Sequence, residues 1–183
     1  MILLESLKTD LGGAAPSFSL PGTDGKTYSL DDFADSKALI IVFMCNHCPY
    51  VHAVIDRLIA IQNDYADRGV QVVGINSNDS STHPDDSFEN MIKFVSERGV
   101  NFPYLYDESQ KVAEDFGAQC TPDIFVYDQD HALAYHGRID DSWQDEAAVT
   151  KRELCEALDM ILAGEKPSSD QNPSMGCSIK WKN

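Results

Sequence analysis

At 183 residues, with a formal net charge of −16 and a pI near 4.4, the chain has the length of one domain and can bury a sizeable core. The acidity argues against nucleic acid and anionic membrane surfaces as partners, and no stretch approaches the roughly 20 apolar residues of a membrane span. Met1 to Lys8 shows no basic leader before a long apolar stretch, so a cytoplasmic location is expected, where the five cysteines serve catalysis, sensing or metal binding rather than permanent disulfides.

Read in chain order, strand-like and helix-like segments alternate. Thr27 to Leu30 reads as a short strand after the Asp24-Gly25 turn. Leu39 to Met44 is a continuous apolar run, the pattern of a central strand buried on both faces. From Pro49 to Arg68 the residues Val51, Val54, Ile55, Leu58, Ile59 and Tyr65 keep a helical period, with Pro49 tolerated in the first turn and Gly69 as the stop. Val70 to Asn76 is the next strand, and Ser77 to Pro84 is a polar loop near the site. Phe88, Met91, Ile92 and Val95 mark a helix closed by Gly99. Phe102 to Tyr106 reads as a short strand, and Val112, Ala113 and Phe116 as a short helix stopped by Gly117. Asp123 to Asp128 and Ala132 to Arg138 form a predicted hairpin about Gln129-Asp130. A final helix is expected from about Asp145 to Ala163, with Leu154, Leu158, Ile161 and Leu162 on one face and Gly164 as its stop. This gives a domain over residues 1–163 and a C-terminal tail, 164–183, rich in Ser, Pro and Asn. Strands separated by helices need crossover connections, so an α/β fold with a mixed central sheet flanked by helices is expected.

The segment Cys45-Asn46-His47-Cys48 joins the buried strand to the long helix. A Cys-x-x-Cys pair at that junction points to redox chemistry more than to metal binding. The helix N-terminus, roughly +0.5 of a charge, stabilises a thiolate, and two sulfurs three residues apart can close a disulfide. A charged imidazole at His47 would lower the pKa of Cys45 further.

This element order, with Cys45-Asn46-His47-Cys48-Pro49 and a later Thr121-Pro122, resembles the thioredoxin fold. It is similar in particular to the redoxin branch that holds the alkyl hydroperoxide reductase/thiol-specific antioxidant proteins. Ala15 to Leu20, Asp24 to Leu30 and the inserted helix after Asn76 carry the same likeness. The resemblance covers roughly residues 14–163. It implies a thioredoxin-like fold with an N-terminal extension and an inserted helix. It implies that Cys45, at the exposed edge of the helix, is the nucleophile and Cys48 the resolving thiol. It implies that His47 tunes the pair, that Pro122 is cis, and that Thr121 offers backbone groups to an extended substrate.

The remaining thiols leave alternatives open. Cys120 is either a third redox partner or a small buried residue, and Cys155 belongs to the core. Cys177, in Ser174-Met175-Gly176-Cys177-Ser178, is either a mobile resolving thiol or an ordinary surface thiol. The expected activity is thiol–disulfide exchange on protein or small-molecule disulfides, with a thiol as electron donor and no cofactor. Two alternatives stand beside it. In peroxiredoxins a threonine precedes the reactive cysteine by three residues and a proline follows it. Cys48-Pro49 matches the second part, but Cys45 occupies the threonine position, and Arg138 matches the family arginine only by loose analogy. A copper-binding or redox-sensing protein without turnover would use Cys45, His47, Cys48 and His52, with His83 nearby. Copper-delivering relatives space their cysteines by three residues rather than two, so no metal is assigned. Asp140-Asp141 and Ser142-Trp143 are given no role.

Overall fold

The computed structural model describes residues 3–182. In chain order the elements are β1 (Leu3–Glu5), β2 (Ser19–Pro21), β3 (Thr27–Ser29), β4 (Ala38–Phe43), α1 (Pro49–Tyr65) and β5 (Val70–Asn76). There follow α2 (Phe88–Arg98), β6 (Tyr104–Tyr106), α3 (Lys111–Phe116), β7 (Cys120–Thr121), β8 (Asp123–Asp128), β9 (Leu133–His136), α4 (Glu153–Leu162) and β10 (Met175–Ser178).

The central sheet has the order β6-β5-β4-β8-β9. β4 runs parallel to β5 (Ala38 opposite Val70, Phe43 opposite Ile75) and antiparallel to β8 (Ala38 opposite Asp128, Phe43 opposite Asp123). The apolar run of β4 works because a strand alternates faces. Ile40 and Val42, with Met44 just beyond, enter the core under α1, α2 and α4, with Val51, Val54, Ile55 and Leu58 of α1 against them. Leu39, Ile41 and Phe43 enter a second core with Val73, Ile75, Phe116 and Phe125. All six β4 side chains are buried, so both faces are covered and the run needs no polar residue. With β2 and β3 as an N-terminal hairpin and α2 inserted after β5, this is a thioredoxin-like α/β fold.

Two expectations need correction. The last helix begins at Glu153, not Asp145. Asp145 caps only the short turn Glu146–Ala148, and Thr150 then donates its N–H to Asp141, which holds the preceding segment off the helix path. The C-terminal segment is not a mobile tail: β10 pairs antiparallel with β1 on one side and β7 on the other. Composition suggested a loose end because the residues before β10 carry Pro, Ser and Asn. What holds the segment is backbone pairing, which composition does not report. Ser174 donates to the Gly137 carbonyl at 2.7 Å, Lys180 N–H to Asn78 at 2.8 Å, and Gln110 to the Lys180 carbonyl at 2.8 Å. Among the described residues no helix is long and apolar enough to cross a membrane.

Candidate redox site

α1 begins at Pro49, which makes Cys48 its N-cap. Cys45 stands three residues earlier, directly after β4 and Met44. The loop between them is clamped by Asn46. Its N–H donates to Asp86 (2.8 Å), its amide donates to the Asp85 carbonyl (2.9 Å), and its side-chain oxygen accepts from Tyr104 (3.0 Å). Asp86 is fully buried and also accepts from Asn78 at 2.7 Å. The polar loop after β5 is therefore a scaffold under the motif.

His47 Nδ1 lies 2.6 Å from Asp86 Oδ2, a close ion-pair contact. The Asp86 carboxylate raises the pKa of His47. Burial alone would raise Asp86, but His47, Asn78 and the Asn46 N–H outweigh it and hold the carboxyl below its usual range. Stability from the raised imidazole is present below its unfolded pKa, about 6.5, and is lost as pH rises through the folded value. Stability from the depressed carboxyl is present above about pH 3.9 and is lost as pH falls through its folded value. The stability gap between wild type and Asp86→Asn is therefore expected to be widest between about pH 4 and 6.5 and to narrow above that window. Urea unfolding of both proteins across pH checks it; a gap that widens towards pH 8 would contradict the pairing.

The sulfurs converge on Cys48. Cys177 Sγ lies 2.8 Å from its Sγ. Cys48 Sγ is 3.1 Å from the Thr121 carbonyl oxygen, to which the protonated thiol donates, and Cys45 Sγ is 3.4 Å from Thr121 Oγ1. The Thr121–Pro122 peptide bond is cis, in agreement with the family likeness. Donation from Cys45, then from Cys177 and the Val51 N–H at the helix terminus, lowers the Cys48 pKa against its burial. Cys45 moves the opposite way, raised because it donates to Cys48 and is buried beside Asp86. The expected exposure of Cys45 is not met: Cys45 and Cys177 are each 1% exposed and Cys48 is 0%. Cys120, in β7, is buried and its pKa raised chiefly by desolvation. Cys155 is half-buried against the core.

Several residues passed over in the sequence matter here. Arg57 and Asp140 form a buried ion pair, and Arg57 also donates to the carbonyls of Ser142 (3.1 Å) and Trp143 (2.7 Å). Trp143 packs on Tyr50 with ring centroids 4.1 Å apart. Tyr50, Trp143, Pro122 and Met175 help to line a cavity of about 240 Å³ beside the cis peptide. Arg138 is committed to Glu153, with contacts of 2.8–3.0 Å. Cys45, His47 and Asp86 place three donor atoms within 4.8 Å of one another, a grouping that could hold a metal ion. Both Asp86 oxygens are already taken by hydrogen bonds, Oδ1 by Asn46 and Oδ2 by Asn78. His52 Nε2 instead meets the Asn46 carbonyl at 2.5 Å.

Residues 11–136 match the family model described as "AhpC/TSA family". The chain belongs to the AhpC/TSA family. This AhpC/TSA chain is 28% identical over 126 residues to peroxiredoxin Bcp of Escherichia coli (strain K12), covering 68% of this chain and 76% of that protein. It is 24% identical over 123 residues to the thiol-disulfide oxidoreductase ResA of Bacillus anthracis, covering 67% and 66%. A solved structure of an uncharacterized conserved protein from Geobacillus kaustophilus superposes with a TM-score of 0.95 at 45% identity, covering 100% of this chain and 97% of that one. The AhpC/TSA chain is thus a member of a family of thiol-dependent redox enzymes.

Proposed function

We propose that the chain is a thiol–disulfide oxidoreductase in which Cys48 attacks and Cys45 resolves, the reverse of the order expected from the motif. The observation that carries this reading is the position of Cys48 as the N-cap of α1, where the unpaired N–H groups of the first turn favour a thiolate. The Cys48 thiolate attacks one sulfur of a substrate disulfide; a mixed disulfide forms and the other substrate sulfur leaves as a thiolate that takes a proton. Cys45 then gives up its proton and attacks Cys48 Sγ. The Cys45–Cys48 bond forms, and the second substrate thiolate leaves and is protonated. Two electrons pass from the protein thiols to the substrate. An external thiol reverses these steps to restore the dithiol. The Asp86 pair makes His47 a positioning residue for the loop and a charge near the thiolate. Burial of the sulfurs favours small disulfides, and the cavity beside Pro122 is the proposed place for the leaving half of the substrate.

Thiol-regenerated turnover of oxidised glutathione or hydroxyethyl disulfide tests the reading. Loss of turnover in both Cys48→Ser and Cys45→Ser is expected; turnover unchanged in either would sink it. A second reading, hydroperoxide reduction, is favoured by the Cys48-Pro49 sequence and by the likeness to peroxiredoxin Bcp. The Cys48 thiolate would then attack the O–O bond, releasing an alcohol or water and leaving a sulfenic acid. Cys45 would condense with that group to a disulfide and water. Faster consumption of hydroperoxide than of disulfide in parallel assays would select this second reading.

A further inference from the structure

We propose that Cys177 is a third redox thiol, which takes over the disulfide from the Cys45–Cys48 pair by attacking Cys48. The inference rests on the redox reading of that pair. Cys48 Sγ lies 2.8 Å from Cys177 Sγ, and Cys45, three residues before it, meets the same Thr121 that Cys48 meets. A disulfide bond is about 2.05 Å long, so joining Cys177 to Cys48 needs a shift of well under 1 Å.

The backbone holds Cys177 there. In register, Cys177 faces Thr121 and Ser178 faces Cys120 across the β10–β7 pair, while Leu3 faces Cys177 from β1. Gly176 permits the close approach: a Cβ on it would lie 2.0 Å from the Thr121 carbonyl oxygen and 2.6 Å from its carbon. With neither atom free to move aside, a side chain at this position would lift β10 from β7 and carry Cys177 away. Beyond the strand, Ile179 N–H donates to the Gln119 carbonyl at 3.0 Å, and Asp79 N–H to the Lys180 carbonyl at 2.8 Å. The thiol is anchored on both sides and against the redox motif.

The exchange is balanced. Cys177 gives up its proton and attacks Cys48 Sγ in the Cys45–Cys48 disulfide. The Cys48–Cys177 bond forms and the Cys45–Cys48 bond breaks. Cys45 leaves as a thiolate and takes up the proton that Cys177 lost. One disulfide and one thiol stand on each side, so no external oxidant or reductant enters the step. The exchange couples the redox state of the motif to the C-terminal strand.

The test uses full-length protein oxidised with diamide, a small reagent that takes two electrons and two protons from a thiol pair and becomes a hydrazine. Disulfides are then mapped by peptide mass spectrometry. In Cys45→Ser, a Cys48–Cys177 link is expected, and Cys120→Ser added to it leaves the link intact. Cys48 remaining alkylatable, or linked to Cys120 instead, would overturn the proposal. In a second measurement, the glutathione mixed disulfide on Cys48 is followed in Cys45→Ser with and without Cys177→Ala. Its lifetime is expected to lengthen by at least about 100-fold when Cys177 is removed, as an intramolecular attacker is lost. Equal lifetimes would overturn the proposal. Failure of wild type to turn over disulfides tells instead against the function reading, because the diamide link does not depend on turnover.

Discussion

Cys48→Ser is expected to lower the rate of the first attack on a chromogenic disulfide by about 10³-fold or more, while Cys45→Ser keeps a single burst of leaving thiol. A hydroxyl at position 48 has no accessible anion at neutral pH. The pKa of Cys48 is lowered by the neighbouring thiols of Cys45 and Cys177, by Thr121 and by its place at the N-terminus of α1. Cys45 is raised by its coupling to Cys48, by burial and by the Asp86 carboxylate, against a smaller lowering by Thr121. Stopped-flow measurement of one turnover with each variant separates the roles. A burst in Cys48→Ser and none in Cys45→Ser would return the attacking role to Cys45.

Asp123→Ala is expected to destabilise the fold by about 1–3 kcal/mol or more, the range for leaving buried donors without their acceptor. Asp123 is fully buried directly after Pro122. Its Oδ1 lies 2.7 Å from His136 Nε2, and its Oδ2 accepts the Gln119 N–H at 3.1 Å. His136 is itself buried, meets Thr9 at its other nitrogen, and stacks on Phe125 with ring centroids 3.9 Å apart. Removing the carboxylate leaves an imidazole and a backbone N–H without their acceptor under the loop that carries Thr121 and Pro122. Asp123→Asn keeps an oxygen for one of them and is expected to cost less. Urea unfolding of the three proteins measures this; a loss below about 1 kcal/mol in Asp123→Ala would show that the pair does not hold the loop.

Local pattern sufficed wherever the physics is local. Leu39 to Met44 could only be a strand covered on both faces, because any other placement would leave apolar side chains in water. The spacing of Val51, Val54, Ile55 and Leu58 set the buried stripe of α1, and Gly69, Gly99 and Gly117, all at positive φ, ended the segments before them. The place of Cys45 and Cys48 at the strand–helix junction was legible from spacing, and the cis Thr121–Pro122 bond and its approach to them from the family likeness.

The remainder depended on contacts far apart in the chain. Pro49 starts α1 as the sequence predicts, but which side chain is its N-cap is read only from the backbone: it is Cys48, not Cys45. The His47 partner, Asp86, lies 39 positions away, and Asp140 meets Arg57 across 83. In the sequence each is one acid among thirty aspartates and glutamates. Cys177 is the clearest case. Its neighbours in sequence read as a loose end, and no periodicity marks a four-residue strand. Its place beside Cys48, 129 positions away, follows from backbone pairing with β1 and β7 and from a glycine small enough to let two backbones touch. Backbone hydrogen bonds are nearly indifferent to side-chain identity, so residue types announced the redox motif but not the strand that covers it.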